Sequence, residues 1–344
     1  MESPLEFKVF YDEVIRKPSE NLAINKLFRQ LIEENKASFT GRIYKSSEGV
    51  IIGNNQSLGD INLDYCSSTG YEILRRETDG GAVITNKDSI LTYSLFFRKS
   101  LNNSISKEDY YKLILIPLSR NLNQALKGNN PNKIEFEISG DYYLTYSKNN
   151  NKTLIKENIP LQRHFVYMDE HTVQFDGFVN LKKPDVNEIS KIINLREFYS
   201  KNGNRIILAG EKAYDLNGMS LEINTEDVKM DYRLKKSEKQ ELEKIQGLED
   251  LLIKDIFLEV LINTLKDTFG AEIIKNEKDK NKRVYGFLEF SQIKEVKQEF
   301  LKTLSEEDSI KYKKNLGTCF VDLFGEEKAF TRKNRKNNKI ILKK

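Results

Sequence analysis

Tyr71–Leu95 reads YEILRRETDGGAVITNKDSILTYSL. It opens on the apolar pair Ile73-Leu74, which reads as a strand end. Two adjacent arginines follow, Arg75 and Arg76, then Thr78 and the run Asp79-Gly80-Gly81-Ala82-Val83. An apolar-aromatic strand is expected over Leu91–Phe97. A glycine pair lets backbone approach a ligand closely and take up positive φ. Two guanidinium groups beside it, expected in a polar turn, can hold carboxylate or phosphate oxygens. Flanking strands would make such a site rigid.

Upstream, the spacing of Leu22, Ala23, Leu27, Leu31 and Ile32 predicts a helix over 19–36, with Ser19 as N-cap after Pro18. Two short strands are expected over Gly41–Lys45 and Gly49–Gly53, the second running into Asn54-Asn55-Gln56. Downstream, Ser106 caps a long helix to about Leu126 that contains Pro117. Ile134, Phe136 and Ile138 alternate with polar neighbours as in a half-buried strand, and Ser139-Gly140-Asp141 turns into a second strand over Tyr142–Tyr146. Pro184–Asn194 reads as a short helix. Hairpin-like pieces lie around Gly203, Gly210 and Gly218. A helix is expected over Ser237–Gly270, with Gly247 as an interior breaker. Strand, helix and strand follow over Arg283–Phe290, Gln292–Leu304 and Thr318–Phe324.

The 344 residues are long enough for one large domain or a domain with an appendage. The net charge of +4 makes no case for nucleic acid. A mean hydropathy of −0.58 and the lack of any long apolar stretch argue against a membrane span. The start, MESPLEFKVFYDEVI, has no apolar core of signal-peptide type. Cys66 and Cys319 are the two cysteines, outside any metal-ligand spacing, so a reducing cytoplasm is the expected location. Two histidines, His164 and His171, exclude a histidine-rich metal site. No Walker loop occurs. The last residues, TRKNRKNNKIILKK, form a basic run suited to an acidic partner.

The run from Leu74 to Ser94 resembles the signature of the lipoate–protein ligase family, Arg-Arg-x-Ser/Thr-Gly-Gly-Gly-Ala-Val followed by an aromatic-Ser strand. Leu74, Arg75, Arg76, Thr78, Gly80, Gly81, Ala82, Val83, Tyr93 and Ser94 match it, while Asp79 stands at its first glycine and Ile84-Thr85-Asn86 replaces its aromatic-His-Asp. Arg42, Tyr44, Gly53, Gln56 and Asn62 fit the segment ahead of it. Asp141 matches the family's Asn-Asp joint, with Gly140 at the Asn. Lys156, Gln162 and Arg163 keep the spacing of its lysine loop, although Glu157-Asn158-Ile159-Pro160-Leu161 replaces the small residues there. Lys148 and Lys152 are rival lysines. Phe175–Leu181 occupies the place of a family strand, and Asp176 stands in place of its histidine.

The resemblance implies an α/β (α+β) fold, a mixed β-sheet flanked by helices of the biotinyl/lipoyl-transferase type. A ligase-like catalytic domain would span 1–270, with an insertion near 196–236. A strand–helix extension with the basic tail would span 271–344. The implied activity is activation of lipoate by ATP to lipoyl-AMP, then transfer to a lysine of a lipoyl domain or glycine-cleavage carrier protein. Arg75, Arg76, Thr78, Gly80, Gly81, Ala82 and Val83 would hold the lipoyl-adenylate, with Gly53 and Gln56 in support. Lys156 would be catalytic, and Asp141 would hold Mg²⁺ against the phosphates. Two alternatives stand beside this: an octanoyltransferase of the same fold, some of which use a cysteine nucleophile, and a non-catalytic ligase-like binder of lipoyl domains. The acyl group (lipoate, octanoate or biotin) and the need for a separate accessory domain stay open.

Overall fold

The computed structural model describes residues 7–298 except 55, 57, 59–60, 79, 100–104, 128–133, 139–143, 149–158, 194–195, 200–204, 210–211, 216–228, 232–242, 244–246, 277–282, 285–287 and 290. Strands β1 (Lys8–Asp12), β2 (Phe39–Tyr44), β6 (Ile90–Arg98), β7 (Ile134–Ile138), β8 (Leu144–Lys148), β9 (Ile159–Met168), β10 (Thr172–Asn180) and β15 (Glu272–Asn276) form one mixed sheet. Their order is β15-β1-β2-β6-β10-β9-β8-β7. The β15–β1 and β1–β2 pairs are parallel, and the remaining pairs are antiparallel. A second sheet, β4-β3-β5, is built from β3 (Gly49–Ile52), β4 (Glu72–Arg75) and β5 (Val83–Thr85).

The fold class is thus as expected: a mixed sheet flanked by helices. Alternation along the strands assigns the two faces. On one face Val9, Ile43, Tyr93, Leu95 and Phe175 pack with helices α3 (Lys107–Ala125) and α5 (Lys254–Phe269) through Ile114, Leu118, Phe257, Leu261 and Leu265. On the other face Phe10 and Phe96 meet Ile24 and Phe28 of α1 (Pro18–Glu33). Phe28 lies 5.8 Å from Phe10 and 5.7 Å from Phe96 between ring centroids. Helices α2 (Leu63–Thr69) and α4 (Val186–Ile192) cover the small sheet, where Cys66, Ile189 and Ile192 bury Val50 and Ile52.

Several local expectations are met. Ser106 caps α3 in a reciprocal capping box with Asp109. Gly270, at φ +65°, ends α5. The hairpin-like region is an antiparallel sheet, β13-β12-β11-β14, of β11 (Arg196–Tyr199), β12 (Arg205–Ala209), β13 (Lys212–Asp215) and β14 (Lys229–Asp231).

Others are corrected. The N-cap of α1 is Lys17 rather than Ser19, because Pro18 takes the first helical position, where its lack of an N–H is harmless. Ser19 sits one residue into the helix, and its N–H donates to Oε2 of Glu72 at 3.1 Å. The helix expected over 237–270 is interrupted at Gly247, as read, and resumes as α5 only at Lys254; of 237–246 only Glu243, which is helical, lies within the described residues. A Cβ at Gly247 would strike the backbone of Leu181 and Lys182, and the N–H groups of Leu248 and Glu249 donate to the carbonyls of Asn180 and Leu181. Gly247 and Lys183 both donate to Asp250 Oδ2, which fixes a turn where the apolar period alone continues the helix. Arg283–Phe290 is a hairpin of β16 (Arg283–Val284) and β17 (Leu288–Glu289), and 291–298 is helical. Strand β15 lies past the boundary expected at 270 and joins the main sheet beside β1. Thr318–Phe324 and the basic tail lie outside the described residues.

Candidate active site

The signature loop is tied to a different element at almost every position. Arg75, at the end of β4, donates from Nη1 to the carbonyls of Gly53, Asn54 and Gln56 at 2.9, 3.0 and 2.7 Å. Arg76 is 1% exposed. Its Nη1 donates to the Ile51 carbonyl at 2.9 Å and its Nη2 to the Gly81 carbonyl at 2.8 Å. The guanidinium lies 3.9 Å from the Phe165 ring centroid. Glu77 pairs with Nη1 of Arg29 on α1 at 2.5 Å. Thr78 donates to Oδ2 of Asp176 on β10 at 3.1 Å, and its carbonyl accepts from Asn54 N–H at 3.0 Å. Gly80 has φ +97°.

This corrects one expectation. Arg75 and Arg76 do not lie in a polar turn. They brace the loop from inside, holding the carbonyls of 53–56 and 81 in place. Buried peptide carbonyls need donors, and a planar guanidinium satisfies several from one point. Gly53 and Gly80 are required for contact within the chain. A Cβ at Gly53 would strike the Gly80 carbonyl, and one at Gly80 would strike the Phe165 ring. Gln56 supports the turn: its Oε1 accepts from Gly53 N–H at 3.3 Å. Ala82 and Val83 are buried behind the loop.

Below the loop runs a buried polar chain. Asp176 is 2% exposed. Its Oδ1 accepts from Ser94 Oγ at 2.6 Å, and Gln174 Nε2 donates to its Oδ2 at 2.9 Å. Burial pushes its carboxyl above the ordinary range, while Ser94, Arg76, Gln174 and Thr78 act in the opposite sense. Asn25 donates to both Ser94 Oγ and Tyr44 Oη at 3.0 Å. Arg42 donates to Asn25 Oδ1 at 3.2 Å and to Asn21 Oδ1 at 2.7 Å, and its Nη2 is 3.5 Å from Asp12 Oδ2. Sequence reading singled out Arg42, Tyr44, Ser94 and Asp176. It missed Asn21, Asn25 and Asp12; the signal was an amide pair four residues apart among the apolar positions of α1.

Beside the loop is a cavity of about 80 Å³, bordered by Ala82, Val83, Ile84, Phe178, Arg163 and Lys182. Gln162 and Arg163, expected in a closing loop, instead lie on β9. Gln162 turns to the opposite face and donates to Tyr93 Oη. Asp79, Asp141, Lys148's side chain, Lys152 and Lys156 lie outside the described residues. Among the described residues no group of three His, Cys, Asp or Glu side chains could hold a metal ion, and no helix is long and apolar enough to cross a membrane.

The family model of the lipoyl protein ligase A/B catalytic domain matches residues 17–145, from the start of α1 into β8 and across the whole signature loop. Residues 17–145 are thus similar to a lipoyl protein ligase A/B catalytic domain. The fold agrees. A bipartite lipoate protein ligase, solved in work on it and its E2 lipoyl domain from Thermoplasma acidophilum, is similar at a TM-score of 0.54 and 13% identity. That likeness covers 89% of this chain and 94% of that one. Also similar are a lipoate-protein ligase A bound with ATP (TM-score 0.49, 14% identity, 90% and 96% covered) and P. falciparum LipL1 in complex with lipoate (TM-score 0.46, 12% identity, 86% and 71% covered). The comparison with curated proteins finds no match. The matched region carries its glycine loop on the small β4-β3-β5 sheet and locks it to α1 and β10.

Proposed function

We propose that this chain is an ATP-dependent lipoate–protein ligase. It would form lipoyl-AMP from lipoate and ATP, then pass the lipoyl group to a lysine of a lipoyl domain or glycine-cleavage carrier protein. The observation that carries this reading is the signature loop itself: an Arg-Arg-x-Thr-x-Gly-Gly-Ala-Val run inside a matched catalytic domain, fixed by Arg75, Arg76 and the Thr78–Asp176 contact. A carboxylate is a poor electrophile, so joining it to an amine needs a leaving group. Adenylation supplies one. Fixed donors around the reacting carbonyl and phosphorus then stabilise developing charge without reorganising. A loop whose carbonyls are held inward by the buried Arg76 guanidinium and the part-buried Arg75 guanidinium is rigid in that sense.

Lys156 is the proposed group for the carbonyl and phosphate oxygens, and Asp141 the proposed carboxylate for Mg²⁺, a hard cation suited to such oxygen donors. Arg163 and Lys182 border the cavity beside Ala82–Ile84, with Asp185 and Glu188 also on its wall, and are the proposed contacts for phosphate oxygens. Gly80 and Gly81 would supply backbone for the acyl-adenylate to lie against. The cytoplasm is the proposed location, and lipoyl domains the proposed partners.

The octanoyltransferase alternative gains nothing from Cys66. That thiol is buried, and burial pushes it up to about 11, which leaves little thiolate at neutral pH. Lipoate-dependent exchange of labelled pyrophosphate into ATP tests the adenylating step. Exchange that needs lipoate supports it. Octanoyl transfer from a carrier protein with no exchange would replace it with the alternative.

A further inference from the structure

One face of the glycine loop, at Gly80, is covered by an aromatic ring. Phe165, from β9, is 5% exposed, and its ring fills the space where a side chain at 80 would begin. The Arg76 guanidinium lies 3.9 Å from that ring centroid. Phe178, from β10, stands 5.7 Å from Phe165 at an interplanar angle of 56° and also borders the cavity beside Ala82 and Val83. With Val83 and Ile90 the two rings form a separate apolar cluster. The cavity, at about 80 Å³, is well below the roughly 300–1,000 Å³ of a small-molecule site. Phe178 and Tyr71 are the aromatic residues on its wall.

We propose that Phe165 is a specificity-determining residue: its ring closes the apolar slot along Gly80-Gly81 and limits how far an acyl chain runs into it. The proposal rests on the acyl-ligase reading above. It follows from three features together. Gly80 leaves backbone as the floor of the slot. Arg76 holds the ring on that floor by a cation–π contact. Phe178 links the slot to the cavity mouth. A chain that stops short of the ring binds without disturbing it. A longer one must break the Arg76 contact and move the ring, and it spends part of its own burial doing so.

The test is calorimetric binding of straight-chain carboxylic acids from butanoate to decanoate, and of lipoate, to the full chain, to Phe165→Ala and to Phe165→Leu. Thermal melts confirm that each variant is folded. Burial of a methylene is worth about 0.8 kcal/mol, roughly fourfold in affinity. In Phe165→Ala, affinity should rise about that much per added carbon across the series. In the unaltered chain the rise should stop part-way, with Phe165→Leu between the two. A purely packing role would shift stability and leave the length dependence unchanged. Acid binding with the same slope in all three proteins would overturn the proposal alone. No acid binding to any folded variant would overturn both the proposal and the acyl-ligase reading.

Discussion

The hydroxyl of Thr78 donates to Oδ2 of Asp176 at 3.1 Å, across 98 positions of sequence, and so joins the glycine loop to β10 of the main sheet. Asp176 stands where the resemblance expects a histidine. Its carboxylate accepts from Thr78, Ser94 and Gln174 at once, which a neutral imidazole cannot do. The departure from the family pattern is thus built into the loop's attachment.

Asp176 makes stability pH-dependent with a definite sign. Burial raises its folded pKa above an unfolded value of about 3.9. Between those two values the folded chain holds more protons than the unfolded one, so this group's contribution falls as pH rises. Relative to Asp176→Asn, the unaltered chain should lose stability from about pH 3 upward through the carboxylate range. Denaturant titrations at several pH values check this. A difference that is flat, or that grows in favour of the unaltered chain, contradicts it.

Arg76→Ala should be severe for the fold rather than a surface change. It removes donors to two buried carbonyls and a guanidinium stacked on Phe165. A loss of about 2–4 kcal/mol is expected, since buried acceptors lose charge-assisted partners. Arg76→Lys should recover only part of it, because an ammonium cannot span two carbonyls as a planar fork does. Equilibrium unfolding measures both. Unchanged stability in Arg76→Ala would return this residue to the ligand-binding role read from sequence.

Two glycines with positive φ separate strain from collision. At Gly270, φ +65°, a Cβ meets nothing within 4 Å. Gly270→Ala should therefore cost only the left-handed backbone penalty, about 1–2 kcal/mol. Gly80, at φ +97°, adds a clash with Phe165. Gly80→Ala should lower the melting temperature more than Gly270→Ala, and Phe165→Leu in the same chain should narrow the gap. Equal melting temperatures for the two single variants would show that the ring yields freely.

Much of the fold was legible because periodicity reports burial. Strands β6 and β7 and helix α3 were read from apolar patterning or helical spacing within a residue or two at most ends, the Ser106 cap from its side chain, and β10 from the resemblance alone. The buried polar chain was less legible. Asp12, Asn25 and Arg42 are charged or amide residues, which pattern rules place outside, and they are inside because each satisfies another. Gly247 was read as a breaker, but the length of the turn to Ile253 was hidden because the apolar period runs through it, while backbone contacts with Asn180 and Leu181 decide it. The β15–β1 pairing joins residues more than 250 positions apart, beyond any local signal. Of the site, sequence located Arg75, Arg76, Thr78 and the glycines, but not that the arginines face inward. That depends on where carbonyls of a neighbouring turn fall.

Lys156 carries the proposed chemistry of the acyl-adenylate. Lys156→Ala should abolish or greatly slow lipoate-dependent adenylate formation, with the melting temperature of the ligand-free chain little changed. Lys148→Ala and Lys152→Ala should be nearly silent. Full activity in Lys156→Ala with loss in Lys152→Ala would move the catalytic assignment four residues upstream.

The most direct measurement is the intact mass of an apo-lipoyl domain after incubation with this chain, ATP, Mg²⁺ and lipoate. Addition of one lipoyl group to the acceptor, with release of AMP and dependence on both ATP and lipoate, is the expected result. An acceptor that binds the chain yet keeps its mass, with no AMP formed, would contradict a ligase and leave a binder of lipoyl domains.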